Sequence, residues 1–255
     1  MTLNDLFQLA PYSLGASQKE RALSEILSDL THWHYANCPE YARILNALSF
    51  DASKNHTCAE LPFIPVRLFK EFELRSVPQE QITKTLTSSG TSGQAVSKIF
   101  LSADNVRAQS KTLNEIISSF IGKQRLPLLL LDTEKKKKDR SMYSARGAGI
   151  IGFSIFGRNS TYALDAEMNI DLEKVSSFFE EHKNEPILMF GYTYMIWRFV
   201  VRALEEKNIS FDAQNAVLFH IGGWKKLKDQ AVDALEFNRR VQARLGNVKV
   251  YNYYG

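Results

Sequence analysis

Cysteine, tryptophan and proline are scarce in this chain: 2, 3 and 7 among 255 residues. Two cysteines, Cys38 and Cys58, do not make a disulfide framework, and they fit a reducing cytoplasm. Long apolar runs are missing as well. The longest, Leu128 to Leu131 with its flanks, is strand-length, far short of the roughly 20 residues a helix needs to cross a bilayer. The opening Met1-Thr-Leu-Asn-Asp-Leu-Phe has no basic segment leading into an apolar core, so it does not read as a secretory signal. Neither sign of charge dominates: 32 Lys and Arg face 28 Asp and Glu, for a net +4. That balance attracts anions mildly, but no long basic face interleaved with aromatics accompanies it. The expectation is a cytoplasmic protein that engages neither nucleic acid nor membrane.

What is present is an ordinary globular composition, 44% hydrophobic and 24% charged, with enough length to bury a substantial core. Residues 18–30 place Ala22, Leu23, Ile26, Leu27 and Leu30 on one helical face. Pro39 opens a second helix over 40–48, with Asn37 as its candidate cap. The prolines of residues 61–78 predict an extended crossing segment. Residues 82–87 alternate and are β-branched, which predicts a strand, and Ile99-Phe-Leu predicts a short second one. Asp104 is the candidate cap of a helix running to about Gly122. From residue 127 onward, apolar strands (127–132, 186–191, 216–221, 248–255) alternate with helices at 171–183, 192–207 and 227–245. That alternation predicts an α/β fold with a mostly parallel sheet flanked by helices, and the helical N-terminal segment is expected to pack on it. Residues 1–80 are expected to form a helical and extended portion, and 81–255 an α/β portion, of one domain.

The segment Thr85-Leu-Thr-Ser-Ser-Gly-Thr-Ser-Gly-Gln-Ala-Val-Ser-Lys98 stands apart. Seven of its fourteen residues carry a hydroxyl, two glycines interrupt them, and a lysine closes it. Such a loop can wrap backbone N–H groups and hydroxyls around a polyphosphate. It is not a P-loop, because Gly90 and Gly93 are only three apart and no Gly-Lys-Ser/Thr follows. A polar surface hairpin remains the alternative reading of the composition.

The order of the residues resembles the phosphate loop of the adenylate-forming superfamily. Two later stretches resemble that superfamily in the same order: Phe219-His-Ile-Gly-Gly-Trp224 and Tyr251-Asn-Tyr-Tyr-Gly255. With Leu61-Pro-Phe-Ile-Pro-Val-Arg-Leu-Phe-Lys70, they look like the acyl-protein synthetase (LuxE-like) branch, related to phenylacetate-CoA ligases. The resemblance implies the large N-terminal domain of such an enzyme. It also implies ATP-dependent activation of a carboxylic acid, a fatty acid by the same resemblance, to an acyl-adenylate, followed by transfer to a thiol, with ATP and Mg2+ as cofactors. In bacterial bioluminescence this branch supplies the ligase of a fatty-acid reductase complex, so an acyl-accepting or reductase protein is the implied partner.

By the same resemblance, Ser88, Ser89, Gly90, Thr91, Ser92, Gly93 and Lys98 would hold the phosphates. Thr91 would lie nearest the metal, and Thr91 and Lys98 would be catalytic. Gly222, Gly223 and Trp224 would border the adenine, with Tyr253, Tyr254 and Gly255 on its other side. The sequence departs from the pattern at Gln94 to Ser97 and Ile99, and the family's Glu does not follow Gly255. The small C-terminal domain, with its catalytic Lys and acyl-accepting Cys, is expected to be absent. Two alternatives therefore stand: a ligase that uses coenzyme A or an amine, and a non-catalytic binding or scaffold relative.

Further candidates carry a bland reading beside a functional one. His220 is either a packed sheet histidine or part of an acyl pocket. Arg146 either faces the substrate carboxylate or makes an ion pair. Tyr192, with Tyr194 and Trp197, either lines the substrate pocket or belongs to the core. The spacings of His32, His34 and Cys38, and of His56 and Cys58, do not match the common paired zinc ligands. Lys135 to Lys138 reads as a solvated loop.

Overall fold

In a computed structural model, which describes residues 2–87, 96–134 and 145–254, the chain divides into two units, Met1–Gly122 and Lys123–Gly255. Among the described residues no helix is long and apolar enough to cross a membrane.

The first unit is led by the helix Ala16–Asn37. Ala22 and Ile26 are buried on it as the spacing predicts, whereas Leu27 and Leu30 are 37% and 45% exposed. Two hydroxyl residues, Ser28 and Thr31, are buried in addition. Each is satisfied. Ser28 Oγ accepts from the His56 N–H at 3.0 Å and donates to the His56 carbonyl at 3.1 Å, and Thr31 donates to the Leu27 carbonyl at 2.7 Å. The next helix is Pro39–Ala47, with Pro39 in its first turn. Its N-cap is Cys38, not Asn37; the Asn37 amide instead donates back to the Trp33 carbonyl at 2.7 Å. The proline-bearing segment holds one helical turn, Leu68–Glu71.

Strands β1 (Ile82–Thr87) and β2 (Lys98–Ser102) pair antiparallel, with Thr87 opposite Lys98. The helix Ala103–Ile121 follows, and Ser102 caps it by accepting from the Asn105 N–H at 3.3 Å. Asp104 sits inside the first turn and pairs with Arg107. β1 and β2 both pack on this helix, within the first unit. The histidines weighed as metal ligands are spent locally. His32 Nε2 meets the Lys54 carbonyl at 3.0 Å, His34 Nδ1 the Ser76 hydroxyl at 2.7 Å, and His56 Nε2 the Asp51 carbonyl at 2.8 Å.

The second unit is built on β3 (Leu126–Thr133), all eight residues of which are buried. Beside it lie β4 (Gly157–Leu164), β5 (Ile187–Tyr192), β6 (Ala216–Ile221) and β7 (Val248–Tyr253), in the order β4-β3-β5-β6-β7. Every pairing is parallel. β4 is unpredicted from the pattern: it is an edge strand whose Arg158, Asn159 and Ser160 are exposed, so its alternation is weak. The glycine-punctuated stretch before it forms the helix Ala145–Ser154. Helix Leu172–Glu181 is capped by Asp171, which accepts from the Lys174 N–H at 3.0 Å. Residues 193–206 are helical with a π-helical centre, Ile196–Val201. The stretch expected as one helix over 227–245 is instead a 3₁₀ turn, Lys225–Gln230, and the helix Ala234–Leu245, capped by Asp233.

Alternation along the strands separates the two faces of the sheet. On one, Phe153 stacks on Phe190 with ring centroids 4.0 Å apart and approaches Phe219 and Tyr253. On the other, His220 lies against Phe237 at 4.7 Å, and Gly191 leaves room for Ile196.

Gly246 ends the last helix with φ +95°, and a Cβ there would come within 2.5 Å of the Ala213 backbone nitrogen. Gly246→Ala is therefore expected to cost about 1–3 kcal/mol, read as a lower urea midpoint.

Candidate active site

In a parallel sheet the strand ends gather at one edge, and ligands settle where the connections part. Here the chain leaves β3 towards β4 on one side and returns to β5 on the other. The parting lies between β3 and β5. Three groups of residues converge on this edge.

The first group belongs to the Phe153 face. Asp132, 1% exposed, ends the leucine run of β3. Arg146, in the first turn of the following helix, grips it with both arms, with Nε 2.6 Å from Oδ2 and Nη2 on Oδ1. Those hydrogen bonds hold the guanidinium firmly protonated despite its partial burial. Tyr192, at the end of β5, donates its hydroxyl to the Arg146 carbonyl at 3.3 Å. Burial, reinforced by the Asp132 charge, pushes its phenol up to about 12. Gly149 makes this approach possible: a Cβ there would sit 2.4 Å from the Tyr192 hydroxyl.

The second group lies on the opposite face. Thr193, first residue of the next helix, has its hydroxyl 2.9 Å from His220 Nδ1 and 2.8 Å from the Gly222 carbonyl. A hydroxyl has one proton. Donated to Gly222, it leaves the oxygen to accept from His220, which requires a proton on Nδ1; in a neutral ring this selects the Nδ1–H tautomer. Burial supplies the neutral ring by lowering the His220 pKa to about 4.

The third group is the Gly222-Gly223 turn and the end of β7. Gly222 has φ +80°, a conformation that favours glycine. The register sets Ile221 beside Tyr253, so the turn and the Tyr253-Tyr254 segment leave adjacent strands at the same edge. Among the described residues nothing stands within 4 Å of where a Gly223 Cβ would lie, and Tyr254 is exposed. This leaves room for a flat ring. Trp224 turns inward, edge-on to Trp197 at 5.2 Å.

Of the residues singled out from the sequence, Arg146 and Tyr192 are thus brought together, and so are Gly222, Gly223 and Tyr253. His220 faces the other side of the sheet from Tyr192. Ser88, Ser89, Gly90, Thr91, Ser92, Gly93 and Gly255 lie outside the described residues, as does the Lys135–Lys138 run. Lys98 opens β2 and is exposed. Asp132 and Thr193 belong to no motif. The only signal for Asp132 is a carboxylate closing a strand of leucines. Thr193 has none, since its role arises from pairing β5 with β6.

A family model described as acyl-protein synthetase, LuxE, matches residues 2–254. A long-chain-fatty-acid–luciferin-component ligase of Aliivibrio fischeri is 22% identical over 242 residues, covering 92% of this chain and 61% of its own length. Two solved structures of 2-hydroxyisobutyryl-CoA ligase share the fold. An open conformation in complex with 2-HIB-AMP and CoA has a TM-score of 0.61 at 14% identity, covering 94% of this chain and 50% of that one. The thioesterification state, with the same ligands, has a TM-score of 0.62 at 13% identity, covering 94% and 49%. The chain therefore spans between half and about three fifths of the length of these relatives.

The buried neutral His220 carries a pH signature. Its folded pKa lies below that of an unfolded imidazole, so the unfolded chain binds the extra proton. Its contribution is fully present above pH ~6.5 and is lost as pH falls towards about 4. The loss amounts to about 3 kcal/mol. Urea midpoints measured between pH 7 and 4.5 are expected to fall, and His220→Gln to flatten that slope.

Proposed function

The chain belongs to the LuxE acyl-protein synthetase family, and from that premise we propose that it activates a carboxylic acid, a fatty acid, with ATP to form an acyl-adenylate for transfer to a thiol. The observation that carries the reading is the pairing of the Gly222-Gly223 turn with the Tyr253-Tyr254 strand end at the ligand edge of a parallel sheet. It brings two of the three motif stretches of the sequence side by side. The ligase of Aliivibrio fischeri supports a long-chain acid as substrate. The 2-HIB-AMP and CoA of the solved relatives support an adenylate and a thiol acceptor, and they favour coenzyme A as the second reading.

In the reaction, a carboxylate oxygen attacks the α-phosphorus of ATP and pyrophosphate leaves, so negative charge must be held and aligned. We assign Ser88, Ser89, Gly90, Thr91, Ser92, Gly93 and Lys98 to the phosphates, with Thr91 nearest the metal. Mg2+, when bound, neutralises phosphate charge. Gly222 and Gly223 let the backbone lie against the adenine, and Trp224 stiffens that turn. Tyr253, Tyr254 and Gly255 border the ring's other side. Arg146 and Tyr192 face the acid's side of the site, with Asp132 fixing the arginine. His220, being neutral, positions the turn through Thr193. The protein works in the cytoplasm, with an acyl-accepting or reductase protein as partner.

The test is carboxylate-dependent exchange of pyrophosphate into ATP by the full-length protein, run with fatty and aromatic acids. Exchange is expected with long-chain acids, and Lys98→Ala and Thr91→Ala are each expected to lower it about 100-fold with the fold intact. No exchange with any acid, together with no calorimetric ATP binding, would remove the enzymatic reading. Full activity in both variants would remove the phosphate assignment. Thioester formation on coenzyme A rather than on a protein cysteine would favour the second reading.

A further inference from the structure

The first unit holds a cavity of about 570 Å³, well within the size of small-molecule sites. Trp33, Ile64, Phe69, Leu74, Val77 and Phe100 give it an apolar wall. None of its lining residues belongs to the site assigned above to the acyl-adenylate.

Most of its ionisable lining carries no charge into the cavity. Burial lowers the His34 pKa, and its Nδ1 is engaged with the Ser76 hydroxyl. The same desolvation keeps Tyr41 a neutral phenol. Asp104 is charged, but it pairs with Arg107 and both side chains stand mostly in solvent. Arg75 is the exception. It is half-buried, and its Nη1 donates to the uncharged Gln79 amide at 2.7 Å. Among the described residues no carboxylate pairs with it. A guanidinium fork matches a carboxylate in charge and geometry, and the aromatic and aliphatic wall matches a hydrocarbon chain.

We propose that this cavity binds a long-chain carboxylic acid, with Arg75 holding the carboxylate. The site stands on residues of the first unit alone and is independent of whether the chain activates an acid, so its test uses binding and not exchange. Cys38 lines the same cavity and is 1% exposed, which makes it a local reporter.

The probe is the fluorescent fatty acid cis-parinaric acid, displaced from the full chain by tetradecanoic acid or by tetradecanol. The acid is expected to displace better than the alcohol. Arg75→Gln is expected to weaken the acid about tenfold and the alcohol little, whereas Val77→Trp, which fills the cavity, weakens both. Tetradecanoic acid is also expected to slow alkylation of Cys38 by N-ethylmaleimide, followed by peptide mass spectrometry with Cys58 as internal control. Absence of binding overturns the proposal. So does binding that neither folded variant alters and that leaves the Cys38 rate unchanged, because the acid then sits elsewhere.

Discussion

The parallel register of β5 on β6 is the constraint from which the candidate site follows. It pairs Tyr192 with Ile221 and Gly191 with His220. Alternation then sends Tyr192 to the face of Phe153 and His220 to the face of Phe237. A slip by one residue would exchange the two faces. It would set the imidazole against Phe153 and strip Thr193 of its partner. The register is well specified because all six residues of β5 are buried, so neither face tolerates a shift.

On the Tyr192 side the chain places a cation where local electrostatics disfavour it. Arg146 stands in the first turn of a helix, near the positive end of the helix dipole. The Asp132 carboxylate offsets both that dipole and the desolvation of the guanidinium. A buried pair of this kind adds little net stability, but losing one partner is costly. The pair ties the start of the helix to the end of β3. Gly149 completes the arrangement by admitting the Tyr192 hydroxyl where any side chain would block it. On the His220 side the device is different. A neutral ring, kept so by burial, passes a hydrogen bond through Thr193 to the carbonyl of Gly222. The glycine turn is thus held from beneath by uncharged groups, and among the described residues nothing crowds Gly223.

These two devices fit a reaction in which a carboxylate meets a nucleotide. In the proposed reading the turn offers backbone to a planar ring, and the Arg146–Asp132 pair balances charge at the switch between β3 and β5. The first unit carries Lys98 at the start of β2. It also holds an apolar cavity with a half-buried arginine, whose chemistry suits the same class of compound as the proposed substrate.

Much of this was legible in the sequence. The leucines of β3, the apolar strands at 187–192, 216–221 and 248–253, and the helices between them announced a parallel α/β unit through composition and period alone. The motif order from Ser88 to Tyr254 pointed to the family. The helix caps were less legible: Cys38 and Ser102 took positions expected for Asn37 and Asp104, because neighbouring polar residues competed for the same first turn. The edge strand β4 was hidden by its polar exposed residues. Only the tertiary structure decided the roles of Asp132, Thr193 and Arg75. Asp132 and Thr193 depend on partners that chain folding brings into place from elsewhere in the sequence, and Arg75 on the cavity wall that folding assembles beside it. Local pattern determines which segments are strands and helices, because period and propensity act over a few residues. Register and crossover decide which side chains meet, because they join positions tens of residues apart.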